Sequence, residues 1–492
     1  MLVAVVAERT PLGVLEVLRH LATAHSQGTV MAEVRLDALD KPEVDVLLGS
    51  PLPVIATCRR ETDGGWWHGP EHARMNLLEK ALKCGAAMVD VELDAITHWT
   101  GPLGRQLVVS HHDPTGTPRD LDRIVEKALA VEAGFIKIAT RANTTADVLT
   151  LARICERATG RVVAFGLGAD ALGTRILFRR MGSAWIYARA RGPTARERLE
   201  APGLPDIADV VGLYGADSRL SNPVAAFALF SEHPSASIGP MVFNRVFRQL
   251  QLSATYAALP AHGIHGLREL MKRLELRGAS LTTPLKEVAL QAADTVHPLA
   301  RAIGAANTYV HQEGRITAYN TDYHGVREVV QQALGSEVAS GRALVVGAGG
   351  AARAAVLALL QMGFQVEITA RTMARAERVA SELGVAAIAD PKERPRLIVN
   401  ATPAGGARAA GVMPVSADLL GKDQILFDMN YRPRETALLR AGRPHGAILL
   451  GGERMFAVQA AHQLNLWWGG LPDVAHRIKE AVQWTLRERP LS

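Results

Sequence analysis

Aromatic residues are scarce in this chain, about 5% of its 492 residues, and its basic side chains gather into no stripe. A net charge of +6 spread over that length argues against the electrostatic footprint of a nucleic-acid binder. Long apolar runs are lacking too. The opening run, residues 2–7, stops at Glu8-Arg9, too short for a signal peptide or a membrane span. Cysteine is almost absent: Cys58, Cys84 and Cys155 have no metal-ligand or redox spacing and read as buried thiols of a reducing compartment. These absences predict a cytoplasmic protein with neither membrane nor nucleic acid as partner. What remains is an Ala/Leu/Val/Gly-rich α/β composition, 48% apolar, in a chain too long for one core. The mild positive bias suits small anionic substrates and a phosphate-bearing cofactor.

Short apolar or β-branched runs recur at residues 2–7, 29–37, 52–59, 86–94, 106–113, 135–140, 161–167 and 183–190. Most gaps between them carry a helical pattern, as at 71–83, 119–132, 144–158 and 170–181. Eight such units predict a (β/α)8 barrel, with an open doubly wound sheet as the alternative. Charged residues mark the strand ends: Glu33 and Arg35, Arg59, Glu92 and Asp94, then His112. Barrel enzymes keep their chemistry at that end. In Gly134-Phe-Ile-Lys-Ile, alternation turns Lys137 away from Ile136 and Ile138. An inward lysine is poorly solvated, which favours the neutral amine that attacks a carbonyl to form an imine. The bland reading is a structural lysine paired with a strand-end carboxylate such as Glu92. His112 offers a general base in the same mouth, and adjacent strand positions keep His111 and His112 from sharing one metal.

These segments resemble the type I 3-dehydroquinate dehydratases. The matching pieces are Glu33-Val-Arg35, Thr57-Cys-Arg59 with Asp63-Gly-Gly65, Val89-Asp-Val-Glu92, Ser110-His-His112, Lys137-Ile-Ala and Gly173-Thr-Arg175. The resemblance implies an imine on Lys137, proton transfer by His112 assisted by Asp63, and a substrate carboxylate held by Arg175. Glu33, Arg35 and Arg59 would orient ring hydroxyls, and no metal is implied. Two departures stand out: Asp63 replaces a glutamate, and the lid reads Glu200-Ala-Pro-Gly-Leu204 where the family has Ser-Ala-Pro-Gly-Gln.

Beyond a Pro/Gly/Asp-rich connection at 202–221, strands are expected at 225–230, 254–261 and 278–283, then a hairpin around Glu313-Gly314. Next comes an apolar strand, a turn containing Gly347, Ala348, Gly349, Gly350 and Ala351, and an Ala-rich helix. Such a turn lets backbone N–H groups approach a pyrophosphate. The following strand ends at Arg371, with Arg375 close behind; arginine there suits the 2′-phosphate of NADP, unless it is merely a solvated strand end. Lys286 lies just past a strand and Asp322 follows another, so the two are a candidate proton-transfer pair or two ordinary surface charges.

The second half is similar to shikimate dehydrogenase. The carrying motifs are Ser237-Ile-Gly-Pro240, Thr282-Thr-Pro-Leu-Lys286, Gly304-Ala-Ala-Asn307 and Tyr319-Asn-Thr-Asp322, with Asn400-Ala-Thr402, Asp428-Met-Asn-Tyr431 and Gly452-Glu-Arg-Met455…Gln459. The resemblance implies Lys286 and Asp322 as the catalytic pair. Ser237, Thr282, Asn307, Tyr431, Gln459 and Gln463 would contact substrate; the glycine-rich turn, Arg371, Arg375, Thr402, Gly452 and Met455 would hold NADP. Gly239, standing where the family often has serine, predicts room for the bulkier quinate ring. The expected α/β architecture is an N-terminal (β/α)8 barrel at 1–208, then a substrate domain at 222–325 completed by 460–492, and a Rossmann NADP domain at 326–459. The expected function joins dehydration of 3-dehydroquinate to NADPH-dependent reduction of 3-dehydroshikimate. The alternatives are a dehydrogenase with a weak dehydratase, and a non-catalytic metabolite sensor.

Overall fold

The computed structural model describes residues 1–25, 30–196, 203–215 and 225–488. The chain packs as two compact units: Met1–Ala228, Glu232–Pro240 and Phe247–Leu276 in the first, and Leu229–Ser231, Met241–Val246 and Arg277–Ser492 in the second. Two lid and linker stretches that the sequence singles out, including Glu200 and Pro202, lie outside the described residues.

The first strands are β1 (Leu2–Val6), β2 (Val30–Arg35), β3 (Val54–Thr57), β4 (Met88–Glu92), β5 (Gly104–Asp113), β6 (Ala133–Arg141), β7 (Val162–Leu167) and β8 (Ile186–Ala190). They pair in parallel in the order β7-β6-β5-β4-β3-β2-β1-β8. The last seam is bridged where Ala184 N donates to Val162 O at 2.9 Å and Ala164 N to Ser183 Oγ at 3.2 Å. The sheet is thus a nearly closed barrel. Helices α1 (Pro11–Ala24), α2 (Glu71–Lys83), α3 (Leu121–Leu129), α4 (Thr145–Arg157) and α5 (Leu172–Ile176) separate strands along the chain. Local chemistry starts them: Thr10 caps α1 ahead of Pro11, and Thr144 with Asp147 forms a capping box on α4. Only short 3-10 turns occur in the β2–β3 gap, where Pro42, Pro51 and Pro53 interrupt any helix, and in the β4–β5 gap.

Alternation sorts each barrel strand into two faces. Val3, Met31, Ile55, Met88, Val108, Val163 and Phe165 belong to one buried cluster that fills the barrel. Further along the same inward faces come Glu33, Asp90, Glu92, Ser110 and Lys137, all buried. Beyond β1, Glu8 is fully buried and accepts from Gly192 N, Thr194 N and Thr194 Oγ, tying the end of β1 to the segment after β8.

After α6 (Ile207–Gly212) a mixed sheet follows. Its elements are β9 (Ala225–Ser231), α7 (Gly239–Gln249), β10 (Ala254–Pro260), α8 (Leu267–Arg273), β11 (Leu276–Leu281), β12 (Thr295–Val296), α9 (Pro298–Ile303), β13 (Thr308–Gln312) and β14 (Arg315–Tyr319). The order is β10-β9-β11-β13-β14-β12. Glu313 and Gly314 both have positive φ, 51° and 75°, which lets the β13–β14 hairpin close in two residues.

The third sheet comes from α10 (Asp322–Leu334), β15 (Arg342–Val346), α11 (Gly350–Met362), β16 (Gln365–Thr369), α12 (Met373–Leu383), β17 (Ala386–Ala387), β18 (Leu397–Asn400), β19 (Ile425–Asp428), α13 (Ala437–Gly442), β20 (Ile448–Gly451), α14 (Gly452–Trp468) and α15 (Val474–Glu488). All its pairings are parallel, in the order β17-β16-β15-β18-β19-β20. The direction of winding reverses at β15, where a doubly wound sheet opens its ligand crevice. Among the described residues no helix is long and apolar enough to cross a membrane.

Candidate active sites

Lys137 is buried at 5% exposure, yet Nζ donates to Glu33 Oε2 at 3.0 Å and to Asp90 Oδ2 at 3.1 Å. Burial is therefore not its whole environment, because two carboxylates bracket the nitrogen. Neither is the partner Glu92. That carboxylate is taken by Arg59 at 2.8 Å and Arg74 at 2.7 Å. Arg59 also donates to Asp90 at 3.0 Å and Ser110 at 3.0 Å, while Ser110 Oγ donates to Asp90 at 2.6 Å. Burial would raise the Asp90 carboxyl, but Arg59 and Lys137 outweigh it and hold Asp90 far below the usual carboxylate range. Arg35 is locked in a bidentate pair with Asp37, at 3.0 and 2.7 Å.

Arg175 differs from the other cations of this mouth. It is 2% exposed, its Nε and Nη1 have no hydrogen-bond partner among the described residues, and its Cζ lies 3.8 Å from the Phe165 ring centroid. Burial lowers its pKa to about 9. A buried guanidinium with free forks fits an incoming carboxylate. His112 is half-buried with Nδ1 sealed and unpartnered; burial first, then Arg59 and Lys137, hold it well below the ordinary histidine range. An imidazole held that low is neutral near pH 7. His111, on the opposite face, leaves a sealed Nε2 unpartnered.

Three features escaped the sequence reading. Asp90 shares the inward face with Glu92, and two-residue alternation along β4 was the available signal. Tyr187 on β8 sets its ring 4.4 Å from Lys137 Nζ, with its hydroxyl buried. Leu204 is 7% exposed and packs into the barrel's apolar cluster, so its role is to fill the interior. Asp63, expected beside His112, instead accepts from Arg60 Nε at 2.7 Å on a 3-10 turn, because a turn residue's direction is not set by strand alternation.

In the second unit Lys286 Nζ donates to Asp322 Oδ2 at 2.6 Å, so these are partners rather than separate surface charges. Asp322 opens α10, where a carboxylate is favoured by the helix dipole. Its Oδ1 accepts from Asn307 Nδ2 at 2.9 Å, and Thr321 N donates to Asn307 Oδ1 at 2.8 Å. Gln459 Oε1 accepts from Thr321 Oγ1 at 3.3 Å. Gln463 accepts from Ser280 Oγ at 2.9 Å and donates to Thr308 Oγ1 at 2.9 Å and Asn307 O at 3.2 Å. Its amide is consumed in building the floor of the site, so the expected substrate contact becomes a positioning role. Thr282 is half-buried just past β11, and Tyr431 packs its ring 5.6 Å from Phe456. In the first unit, Ser237 Oγ accepts from Gly239 N at 3.1 Å. A Cβ on Gly239 would lie 3.2 Å from Ser237 Oγ and 3.5 Å from the Tyr256 ring, so that position is lined rather than open.

The turn after β15 fits a dinucleotide. Gly347 has φ 120°, which only glycine adopts freely, and a Cβ on Gly350 would strike Lys286 Cβ at 2.6 Å. Ala348, Gly349 and Ala351 complete the strand-to-helix turn at the N-terminus of α11. Arg371, just past β16, is exposed, as a 2′-phosphate site requires, and Arg375 is paired with Glu287 at 2.8 Å. Thr402 Oγ1 donates to Asn400 Oδ1 at 2.7 Å, and Asn400 donates to Asp428, whose carboxyl is raised by burial. A Cβ on Gly452 would meet Met429 O at 2.1 Å, and Met455 is buried against Gly325. The donor set and the glycine cradle suit NADP.

A barrel with a buried lysine among carboxylates, followed by a Rossmann sheet and a Lys–Asp pair, fits a lyase linked to an NADP-dependent oxidoreductase. Family models match residues 10–221 as type I 3-dehydroquinase, 229–309 as a shikimate dehydrogenase substrate binding domain, and 328–399 as shikimate/quinate 5-dehydrogenase. A bifunctional 3-dehydroquinate dehydratase/shikimate dehydrogenase of Arabidopsis thaliana is 31% identical over 91% of this chain and 79% of its own length. An NADP(+) shikimate dehydrogenase of Thermus thermophilus is 38% identical over 50% of this chain and 94% of its own. A solved shikimate 5-dehydrogenase of that species, in complex with NADP(H) and shikimate, is 36% identical over 53% of this chain and 99% of its own, with a TM-score of 0.49. The chain belongs to the bifunctional 3-dehydroquinate dehydratase/shikimate dehydrogenase family.

Proposed function

We propose that this chain dehydrates 3-dehydroquinate at the barrel mouth and reduces the resulting 3-dehydroshikimate to shikimate at the Lys286–Asp322 site. The observation that carries the first step is Arg175, a buried guanidinium with unpartnered nitrogens in the mouth that holds Lys137. It holds the substrate carboxylate, and Arg35, Arg59 and Glu33 line the ring hydroxyls.

Before attack, Lys137 must lose a proton. Asp90 is committed to Arg59 and Ser110 as well, so Glu33 is the acceptor. The amine then adds to the ring ketone and water leaves, giving an imine on Nζ. Neutral His112 takes the proton from the neighbouring carbon, the electron pair moves toward the imine, and the β-hydroxyl departs as water with the proton that His112 returns. Hydrolysis of the imine frees the enone and restores the lysine.

At the second site Asp322, itself braced by Asn307, holds Lys286, which gives a proton to the carbonyl oxygen as it becomes a hydroxyl. NADPH would supply the hydride when bound; the turn after β15 would hold its pyrophosphate and Arg371 its 2′-phosphate. Thr282 and Tyr431 orient the ring. A cytoplasmic setting accords with unpaired Cys58, Cys84 and Cys155.

NADPH oxidation tests both steps. Adding either 3-dehydroquinate or 3-dehydroshikimate should consume NADPH, and Lys137→Ala should abolish only the first response. Borohydride trapping with 3-dehydroquinate should add the substrate mass to the peptide carrying Lys137. NADPH consumption by neither compound would overturn the reading.

A further inference from the structure

Away from the Lys286–Asp322 pair, α10 and α14 bring three metal-ligating side chains together. His324 and Glu328 stand one helical turn apart on α10, and His462 comes from α14. One donor atom from each lies within 4.8 Å of the other two. His462 Nε2 donates to Glu328 Oε1 at 2.6 Å, and the His324 and His462 rings stack with centroids 4.3 Å apart. No step proposed for either site uses them.

We propose that His324, Glu328 and His462 form a transition-metal site of the zinc class that bridges α10 and α14. Two imidazoles and a carboxylate are the donor set of three-ligand zinc sites, with water completing the tetrahedron. The spacing on α10 places two donors on one face of the helix, as chelation by a helix requires. Entry is open, since the His462 and Glu328 side chains are 36% and 44% exposed. In the metal-free chain the hydrogen bond from His462 to Glu328 occupies the same lone pairs, and an ion replaces its proton. Binding one ion requires the stacked rings to turn until their nitrogens and the carboxylate face one centre. Arg327 stands nearby, but its guanidinium donates to Tyr323 Oη at 3.5 Å. Soft, sulfur-seeking ions are disfavoured because no cysteine or methionine joins the set.

The bridge has a consequence for the oxidoreductase half. Asp322 begins α10, and Gln459 and Gln463 lie on α14. A metal fixing one helix on the other stabilises the pair that carries this machinery.

The test is titration of tag-free, chelator-treated full-length protein with Co2+, read by its visible ligand-field spectrum, followed by competition with Zn2+. One equivalent should bind with a spectrum typical of nitrogen and oxygen donors. His324→Ala and His462→Ala should each weaken binding by more than the roughly tenfold that loss of a second-shell partner costs. Glu328→Gln, which retains an oxygen donor and the fold, should weaken it less. Zn2+ should raise the thermal midpoint of the wild-type protein and leave that of His324→Ala/His462→Ala unmoved. NADPH oxidation in the metal-free state reports that each variant is folded. Unchanged affinity in the folded double variant, or absence of one-equivalent binding in the wild type, would overturn the proposal.

Discussion

The two candidate sites solve opposite electrostatic problems. In the barrel mouth Lys137, Arg35, Arg59 and Arg74 face Glu33, Asp37, Asp90 and Glu92 in a buried network, and Arg175 stands outside it without an acid. In the second unit one ion pair, Lys286–Asp322, is framed by neutral amides and hydroxyls from Asn307, Thr321 and Gln459. In the proposed mechanism the barrel lysine must first be stripped of its proton to become a nucleophile. The carboxylate cage opposes that loss, because Glu33 and Asp90 favour the charged lysine, and at the same time it supplies Glu33 as the acceptor. The other lysine must keep its proton until it is passed on. A single carboxylate suits that task, because it orients the ammonium without several competing acids.

The comparison breaks most sharply at Lys137. Replacing it with alanine removes the covalent route, and kcat/KM for 3-dehydroquinate should fall by on the order of 10^4 or more. Turnover of 3-dehydroshikimate should stay within about twofold, since distant independent sites act additively. The coupled and direct NADPH assays, run side by side, check both halves of that statement. The converse variants, Lys286→Ala and Asp322→Asn, should lower 3-dehydroshikimate reduction by about 10^2–10^4 and leave dehydration intact, read from enone absorbance alone. Asp322→Asn preserves the shape and loses the charge, so a small effect there would show that geometry, not electrostatics, holds Lys286.

How much of this was readable beforehand follows from periodicity. Alternation along β6 places Lys137 inward without any structure, and it would have placed Asp90 inward beside Glu92 by the same count. Asp63 was not readable in this way, because a 3-10 turn has no two-residue face and Arg60 captures its carboxylate. Gln463 reads as a substrate ligand until its amide is found spent on Ser280, Thr308 and Asn307, from elements 155 or more residues away. The same distance hides the His324–Glu328–His462 cluster: i,i+4 spacing shows two members, and only packing of α10 on α14 supplies the third. The barrel and both later sheets were legible because strand runs, the hairpin turn and the glycine-rich turn are local signals.

Arg175 sharpens the contrast in a different way, because its two effects have opposite signs. Arg175→Met removes the carboxylate contact and should raise KM for 3-dehydroquinate by roughly tenfold to a hundredfold, about 1.4–3 kcal/mol of lost charge-assisted bonding. It also removes a buried cation without a partner, so the ligand-free protein should become more stable, by about 1–3 kcal/mol. Urea unfolding without substrate decides the second point; a destabilised variant would mean that the guanidinium is satisfied in the free enzyme. On the cofactor side, Arg371→Ala should raise KM for NADPH by about tenfold and leave that for NADH unchanged.

The smallest effect concerns pH and again separates the two halves. His112 has a folded pKa well below its unfolded value near 6.5, set by burial and then by Arg59 and Lys137. Below about pH 6.5 the unfolded chain binds a proton at this position that the folded barrel refuses, so stability falls with acidity until the folded pKa is reached. His112→Gln should flatten that slope over the window just below pH 6.5, in unfolding measured at a series of pH values. Activity carries the same signature. Because His112 stays neutral, the acid limb of kcat/KM for dehydration should lie below pH 6.5, where an ordinary histidine base would already be failing. An acid limb at or above 6.5 would mean that the cations around His112 are screened in the working enzyme, and that the charge cage does not tune its base.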